Sequence, residues 1–175
     1  MVLVIMVLMS GVVAAALAPA LADARLRAGT RQVLSALRAA RDQAVTQRAP
    51  AAVVFDPARP GVAVYTTATD DTDDTGWRPL TTSAGRFRAL PAGVTVADIT
   101  RPDGSVLATE DSSQPPGAGP GGENTTALTF TALGQGEDAA ITLQDAHGQQ
   151  RVIQVDALTG RADLAETTPL ARRAG

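Results

Sequence analysis

ADARLRAGTRQVLSALRAARDQAVTQR, residues 22–48, decides how the rest of the chain is read. Ala22, Leu26, Val33, Leu37, Ala40 and Ala44 recur at helical spacing and fall on one face. Gly29 is the only strong helix breaker in the stretch, and Pro50 beyond it stops a helix. The pattern predicts an amphipathic helix whose apolar stripe needs something to lie against. Leu26, Val33, Leu37, Ala40 and Ala44 are therefore assigned to packing on a globular domain.

Upstream, residues 1–21 read MVLVIMVLMSGVVAAALAPAL, without a single charge. As a helix at ~1.5 Å per residue this run is about 30 Å long, the thickness of a bilayer's hydrocarbon core. Ser10, Gly11 and Pro19 interrupt it, and membrane helices tolerate all three. A small domain cannot wrap a helix that is apolar all round, so a membrane anchor is the expected reading. Val2, Leu3, Val4, Ile5, Val7, Leu8, Val12, Val13, Leu17, Pro19 and Leu21 would face lipid or other apolar helices. A cleaved signal peptide ending near Ala20-Leu21-Ala22 is the alternative, with a secreted hydrolase or carbohydrate-binding module behind it. The run is long for such a peptide, and no basic residue precedes it. Joined to residues 22–48 it forms one rod of about 70 Å. Arg25, Arg27, Arg31, Arg38, Arg41 and Arg48 outnumber Asp23 and Asp42 in the second half. Taken alone, the positive-inside rule would hold that half in the cytoplasm.

Downstream of Pro50 the helical period gives way to short β-like runs: Ala52–Phe55, Gly61–Thr66, Arg86–Leu90, Val94–Ile99, Ser105–Ala108, Thr126–Thr131, Ala139–Leu143 and Arg151–Asp156. Turn signals separate them, among them Asp56-Pro57, Pro91-Ala92-Gly93, Gly134-Gln135-Gly136, His147-Gly148 and Thr159-Gly160. The expected class is α+β, one long N-terminal helix packed on an antiparallel, β-sandwich-like domain. Ile141–Leu143 and Val152–Val155, joined through DAHGQQ, make the clearest hairpin.

Composition removes whole classes of chemistry. The chain has 175 residues and no Cys, one His and a net charge of −3. Disulfides, Cys nucleophiles and the usual Cys/His zinc sites are impossible. All 15 basic residues are Arg, so a P-loop lysine is missing. One Trp, one Tyr and three Phe are too few for base- or sugar-stacking platforms, and the acidic balance offers nucleic acid no general attraction. His147 reads as a hairpin-tip residue. Glu110-Asp111 sits in a Ser/Pro-rich stretch that would hold an acid/base pair poorly. Asp70, Asp71, Asp73 and Asp74 lack EF-hand spacing and read as an acidic solvated loop, with calcium left open. Arg27, Arg31, Arg38 and Arg41 fall, with Arg48, within an arc of about 100° on a helical wheel. They are either subunit contacts or a solvated face. No catalytic, cofactor-binding or metal residue is assigned.

The long helix resembles that of type IV pilins and type II secretion pseudopilins. Behind it come Leu90-Pro91-Ala92-Gly93-Val94, then Phe130 and Gly134, then Ile153, Val155, Asp156, Thr159 and Gly160. Their order resembles the minor pseudopilin H family over roughly Met1 to Leu164, with Glu110–Thr125 unmatched. In that family a basic leader and Gly-Phe-Thr-Leu-Ile-Glu precede the apolar run. Met1 stands about where the residue after that glutamate would be, and is expected to be an internal methionine. A leader ahead of it would also reconcile the arginines with an external domain.

The resemblance implies a structural subunit of a periplasmic pseudopilus, not an enzyme and without cofactor. Its partners would be other pseudopilins and inner-membrane secretion components, with no nucleic acid and no small-molecule substrate. It would cross the bacterial inner membrane once. Residues 1–21 would be the transmembrane half of the helix, 22–48 the amphipathic half and 49–165 the periplasmic domain. Residues 110–125 would form a flexible loop and 166–175 a disordered tail. A type IV minor pilin acting in pilus assembly or DNA uptake is the second reading.

Overall fold

Helix α1, Val2–Gln47, runs for 46 residues without interruption. In this computed structural model the described residues are 2–56, 59–67, 77–83, 85–101 and 125–165, with helix side chains from residue 20 onward. The side chains assigned to lipid from Val2 to Pro19 lie outside the described residues. So do Ser105–Ala108, the acidic stretch Asp70–Asp74, the tail 166–175 and all of 110–125 except Thr125.

α1 ends as its sequence requires. Arg48 takes a left-handed conformation (φ 51°), and Ala49 N donates to Ala44 O at 3.2 Å. This is the six-to-one bond of a Schellman cap, with Ala49 and Ala44 both buried beside it. Pro50 then turns the chain into the first strand.

Among the described residues, nine strands follow in two antiparallel sheets. β1 (Ala51–Asp56), β2 (Gly61–Thr67), β3 (Trp77–Pro79), β4 (Arg88–Ala89) and β6 (Thr126–Phe130) form the first, in the order β3-β2-β1-β6. β4 shares the outer edge of β2 with β3, lying against Gly61 and Val62. β5 (Val94–Thr100), β7 (Ala139–Asp145), β8 (Gln150–Val155) and β9 (Ala162–Leu164) form the second, in that spatial order. A bulge between Val96 and Asp98 shifts the register of β5 on β7. The expected hairpin is β7–β8, with Ile141 opposite Ile153.

The helix stripe seals both sheets into one core. Leu26, Val33, Leu37, Ala40 and Ala44 are each at most 1% exposed. They meet Val53, Phe55, Val64, Leu128 and Phe130 of the first sheet and Ile141, Leu143, Ile153 and Val155 of the second. Full burial of each Leu or Val on the stripe stabilises by about 1.5–3 kcal/mol. β1 is buried along its whole length. Its outward Val54 packs in a second cluster with Ala63 and Tyr65, against Trp77 and Ala127.

Details differ from the sequence reading for physical reasons. The stripe begins at Leu26, because Ala22 lines an open cleft and is only half-buried. Gly29 does not interrupt the helix. It lets the turn before β5 approach, and a Cβ there would stand 3.1 Å from Val94 Cγ1 and 3.5 Å from Pro91 Cδ. Thr30, also buried, donates its hydroxyl back to Leu26 O at 2.8 Å. The run Arg86–Leu90 shrinks to Arg88–Ala89, since Gly85 and Arg86 both donate to Thr82 O in a turn.

Candidate functional site

The outward face of α1 and the two ends of the domain are candidate surfaces for chemistry or contact. Along the helix, Arg31 and Arg38 are exposed and, with Leu34, Ser35, Ala39 and Asp42, line a shallow groove of about 380 Å³. Arg27 is exposed but pairs with Asp23 one turn back, at 2.6 Å. Asp23 also meets Arg151 of β8 at 3.4 Å, which ties the helix to the second sheet. Gln32 ties it to the first, its Nε2 donating to Arg88 O at 2.9 Å and Ala89 O at 3.0 Å.

Arg41 stands apart from the other arginines. Its Nε donates to Thr159 O at 2.9 Å and to Gly134 O at 3.3 Å. It thus pins together the turn after β6 and the turn after β8, and its charge is used within the subunit. Gly136 N donates to Ala157 O at 3.0 Å across the same seam. Gly160, with φ +60°, lets its backbone meet the carbonyl of Gly134, where any Cβ would collide. Asp156 closes the second turn: its Oδ1 accepts from Thr159 N at 2.8 Å and from Thr159 Oγ1 at 2.7 Å. The Thr159 hydroxyl, then its backbone N–H, hold the Asp156 carboxyl below its ordinary value. These turns leave Leu133 82% and Leu158 79% exposed, and Val45 near them on α1 is 46% exposed. Large aliphatic side chains so placed suit contact with another protein.

At the other end of the domain α1 passes the β7–β8 turn and the turn before β5. Asp145 Oδ1 accepts from His147 N at 2.8 Å and Gln149 N at 2.9 Å, so the carboxylate shapes the hairpin tip. His147 sits there as an exposed turn residue. Among the described residues, no three His, Asp or Glu side chains group as metal ligands would. Nor, among the described residues, is any helix long and apolar enough to cross a membrane.

The sequence reading assigned the arginines to the surface but missed Asp23, Gln32 and Asp145. Asp145, directly before the expected Ala-His-Gly turn, carried an Asx-turn signal that could have been used.

The family model for Type II transport protein GspH matches residues 29–159. No curated protein sequence matches the chain. Among solved structures, the minor pseudopilin EpsH from the type 2 secretion system of Vibrio cholerae aligns with a TM-score of 0.58 at 12% identity, over 80% of this chain and 94% of that one. A second EpsH structure gives 0.52 at 13%, covering 82% and 91%. The type IV minor pilin FimU of Pseudomonas aeruginosa gives 0.48 at 20%, covering 81% and 88%.

Proposed function

The chain belongs to the Type II transport protein GspH family, the minor pseudopilins of type II secretion, and we propose that α1 anchors it in the inner membrane and then in the pseudopilus. The single observation that carries this reading is the reach of α1 beyond its domain. Among the described side chains, which begin at residue 20, the buried stripe starts at Leu26, while the helix backbone continues back to Val2. That leaves about 35 Å of helix at 1.5 Å per residue, enough for a bilayer core. Residues 1–21 are the lipid- or bundle-facing half, residues 22–48 the half that carries the domain, and residues 49–165 the periplasmic domain. In the assembled filament the apolar half leaves lipid and packs on the helices of other pseudopilins. Arg31 and Arg38 face acidic surfaces of neighbouring subunits. The exposed Leu133 and Leu158 meet the subunit beyond. Helix packing does the work, and the subunit breaks and makes no covalent bond.

Deletion of residues 1–21 tests this. The truncated chain should stay folded and soluble, yet fail to restore secretion in a strain lacking the gene. Full secretion from the truncated chain would overturn the mechanism. Since the sequence contains no Cys, single cysteines at Arg31 and Arg38 should crosslink to other pseudopilins in intact cells.

A further inference from the structure

The end of the domain near Val45 bears aliphatic knobs. Leu133 and Leu158 stand almost fully exposed on the two joined turns, and Val45 of α1 lies beside Gly134. Arg41 and the hydrogen bond from Gly136 to Ala157 hold those turns together, so the two leucines keep a fixed spacing. The end near Leu21 is hollow instead. A cleft of about 210 Å³ opens there between α1, the turn before β5 and the turn after β7, lined by Leu21, Ala22, Arg25, Ala92 and Ala146 among others. Leu21 is itself exposed. Charge follows shape. Asp156, two residues before Leu158, is exposed and forms no ion pair among the described residues. Arg25, one turn after Leu21, is likewise exposed and unpaired among them. Leucines beside an acid at one end, and a leucine beside a base at the other, give one chain both halves of a contact.

We propose that the subunit beyond is a second copy of this chain, docked head to tail: Leu133 and Leu158 of one copy seat against the Leu21 cleft of the next, and Asp156 pairs with Arg25. The contact uses different patches on its two partners, so it repeats along a line instead of closing on itself. A two-fold contact through the leucines alone would point the two rods in opposite directions, which a shared bilayer forbids. The proposal deepens the reading above and rests on it for that common direction. Leu21 and Val45 are about 36 Å apart along α1 at 1.5 Å per residue, so docked copies are staggered by about that length. Because α1 runs on past Leu21 to Val2, they are also offset sideways by about 10 Å, one helix-to-helix distance. An offset toward the domain side lays the front of one rod along the groove of Leu34, Ser35 and Ala39 on the other. The stagger exceeds a bilayer core of about 30 Å, so the contact forms once one copy has left the membrane.

The chain contains no Cys, so placed cysteines report the contact directly. Full-length Leu158→Cys and Leu21→Cys chains, tagged to differ in mass, are mixed in detergent, where no bilayer constrains the stagger, and oxidised. The mixture should yield a dimer of one chain of each kind, and neither variant alone should crosslink. Leu133→Ser combined with Leu158→Ser, both at exposed positions, should weaken self-association measured by sedimentation at least tenfold. Arg25→Glu should weaken it about fivefold, the upper end for an exposed ion pair. Leu158→Cys joining to itself, no mixed dimer in detergent, or association unchanged in both sets of variants would overturn the proposal. In cells with the full secretion machinery the mixed pair should crosslink again. A crosslink there from Leu158→Cys only to a chain of another mass would assign this end to a different protein and overturn the proposal too. A mixed dimer in detergent with no crosslink of any kind in cells would leave the contact standing and overturn the pseudopilus reading.

Discussion

The two ends of the domain solve opposite problems. At the residue-45 end of α1, polar groups are matched: Arg41 holds two carbonyls, Asp156 holds the Thr159 N–H and hydroxyl, and the two turns share a backbone hydrogen bond. What that end leaves open is apolar, at Leu133 and Leu158. At the residue-21 end the apolar stripe is already closing, and one carboxylate oxygen of Asp145 is buried there without a donor. A surface with its hydrogen bonds made and its hydrocarbon bare suits a protein neighbour. The difference teaches that the two ends of the domain are not equivalent: one exposes hydrocarbon over matched polar groups, the other buries an unmatched one.

Four substitutions or conditions would break or sharpen that contrast. The largest effect is expected at the turn seam. Gly160→Ala places a Cβ against the Gly134 carbonyl at a positive φ, and should lower unfolding free energy by about 3 kcal/mol in denaturant titration. A loss too small to measure would mean that the two turns are not locked together. At the opposite end, Gly29→Leu forces a side chain against Val94 and Pro91, and overpacking there should cost about 2 kcal/mol, read as a fall in melting temperature. Arg41→Ala should cost about 1 kcal/mol, since the lost bonds are charge-assisted but half-exposed. Its amide exchange should quicken at Gly134 and Gly160 and stay unchanged at His147. The smallest effect is a pH dependence. Because the folded Asp156 carboxyl titrates below its ordinary value, its contribution is present above the unfolded value and is lost as pH falls through the folded one. The stability advantage of the natural chain over Asp156→Asn should therefore be fullest at neutral pH and shrink on acidification. An advantage that grows in acid would contradict the assignment.

Much of the fold could be read in advance, and the reasons are local. The helix declared itself through period and through Pro50, and the β7–β8 hairpin through alternating burial around a His-Gly turn. Strands β3 and β9 escaped notice because three residues carry no alternation to detect. The contact surfaces were less legible. Arg41 looked like its neighbours on the helical wheel, yet its acceptors are backbone carbonyls 93 and 118 residues away. No pattern of residue types encodes a carbonyl's position. The unmatched oxygen of Asp145 is harder still, since it is defined by a donor that the surrounding fold does not supply.

The unbroken course of α1 has a mechanical consequence. Its buried side chains from Leu26 to Ala44 lie in a row along the helix axis, locked between two sheets. Traction on the front of the rod, with the domain held, would load that row in shear, every interlock at once, because a close-packed interior transmits strain instead of yielding piecemeal. A single molecule stretched this way should give one abrupt rupture, whereas pulling from residue 47 should peel the rod away in a staircase of smaller steps.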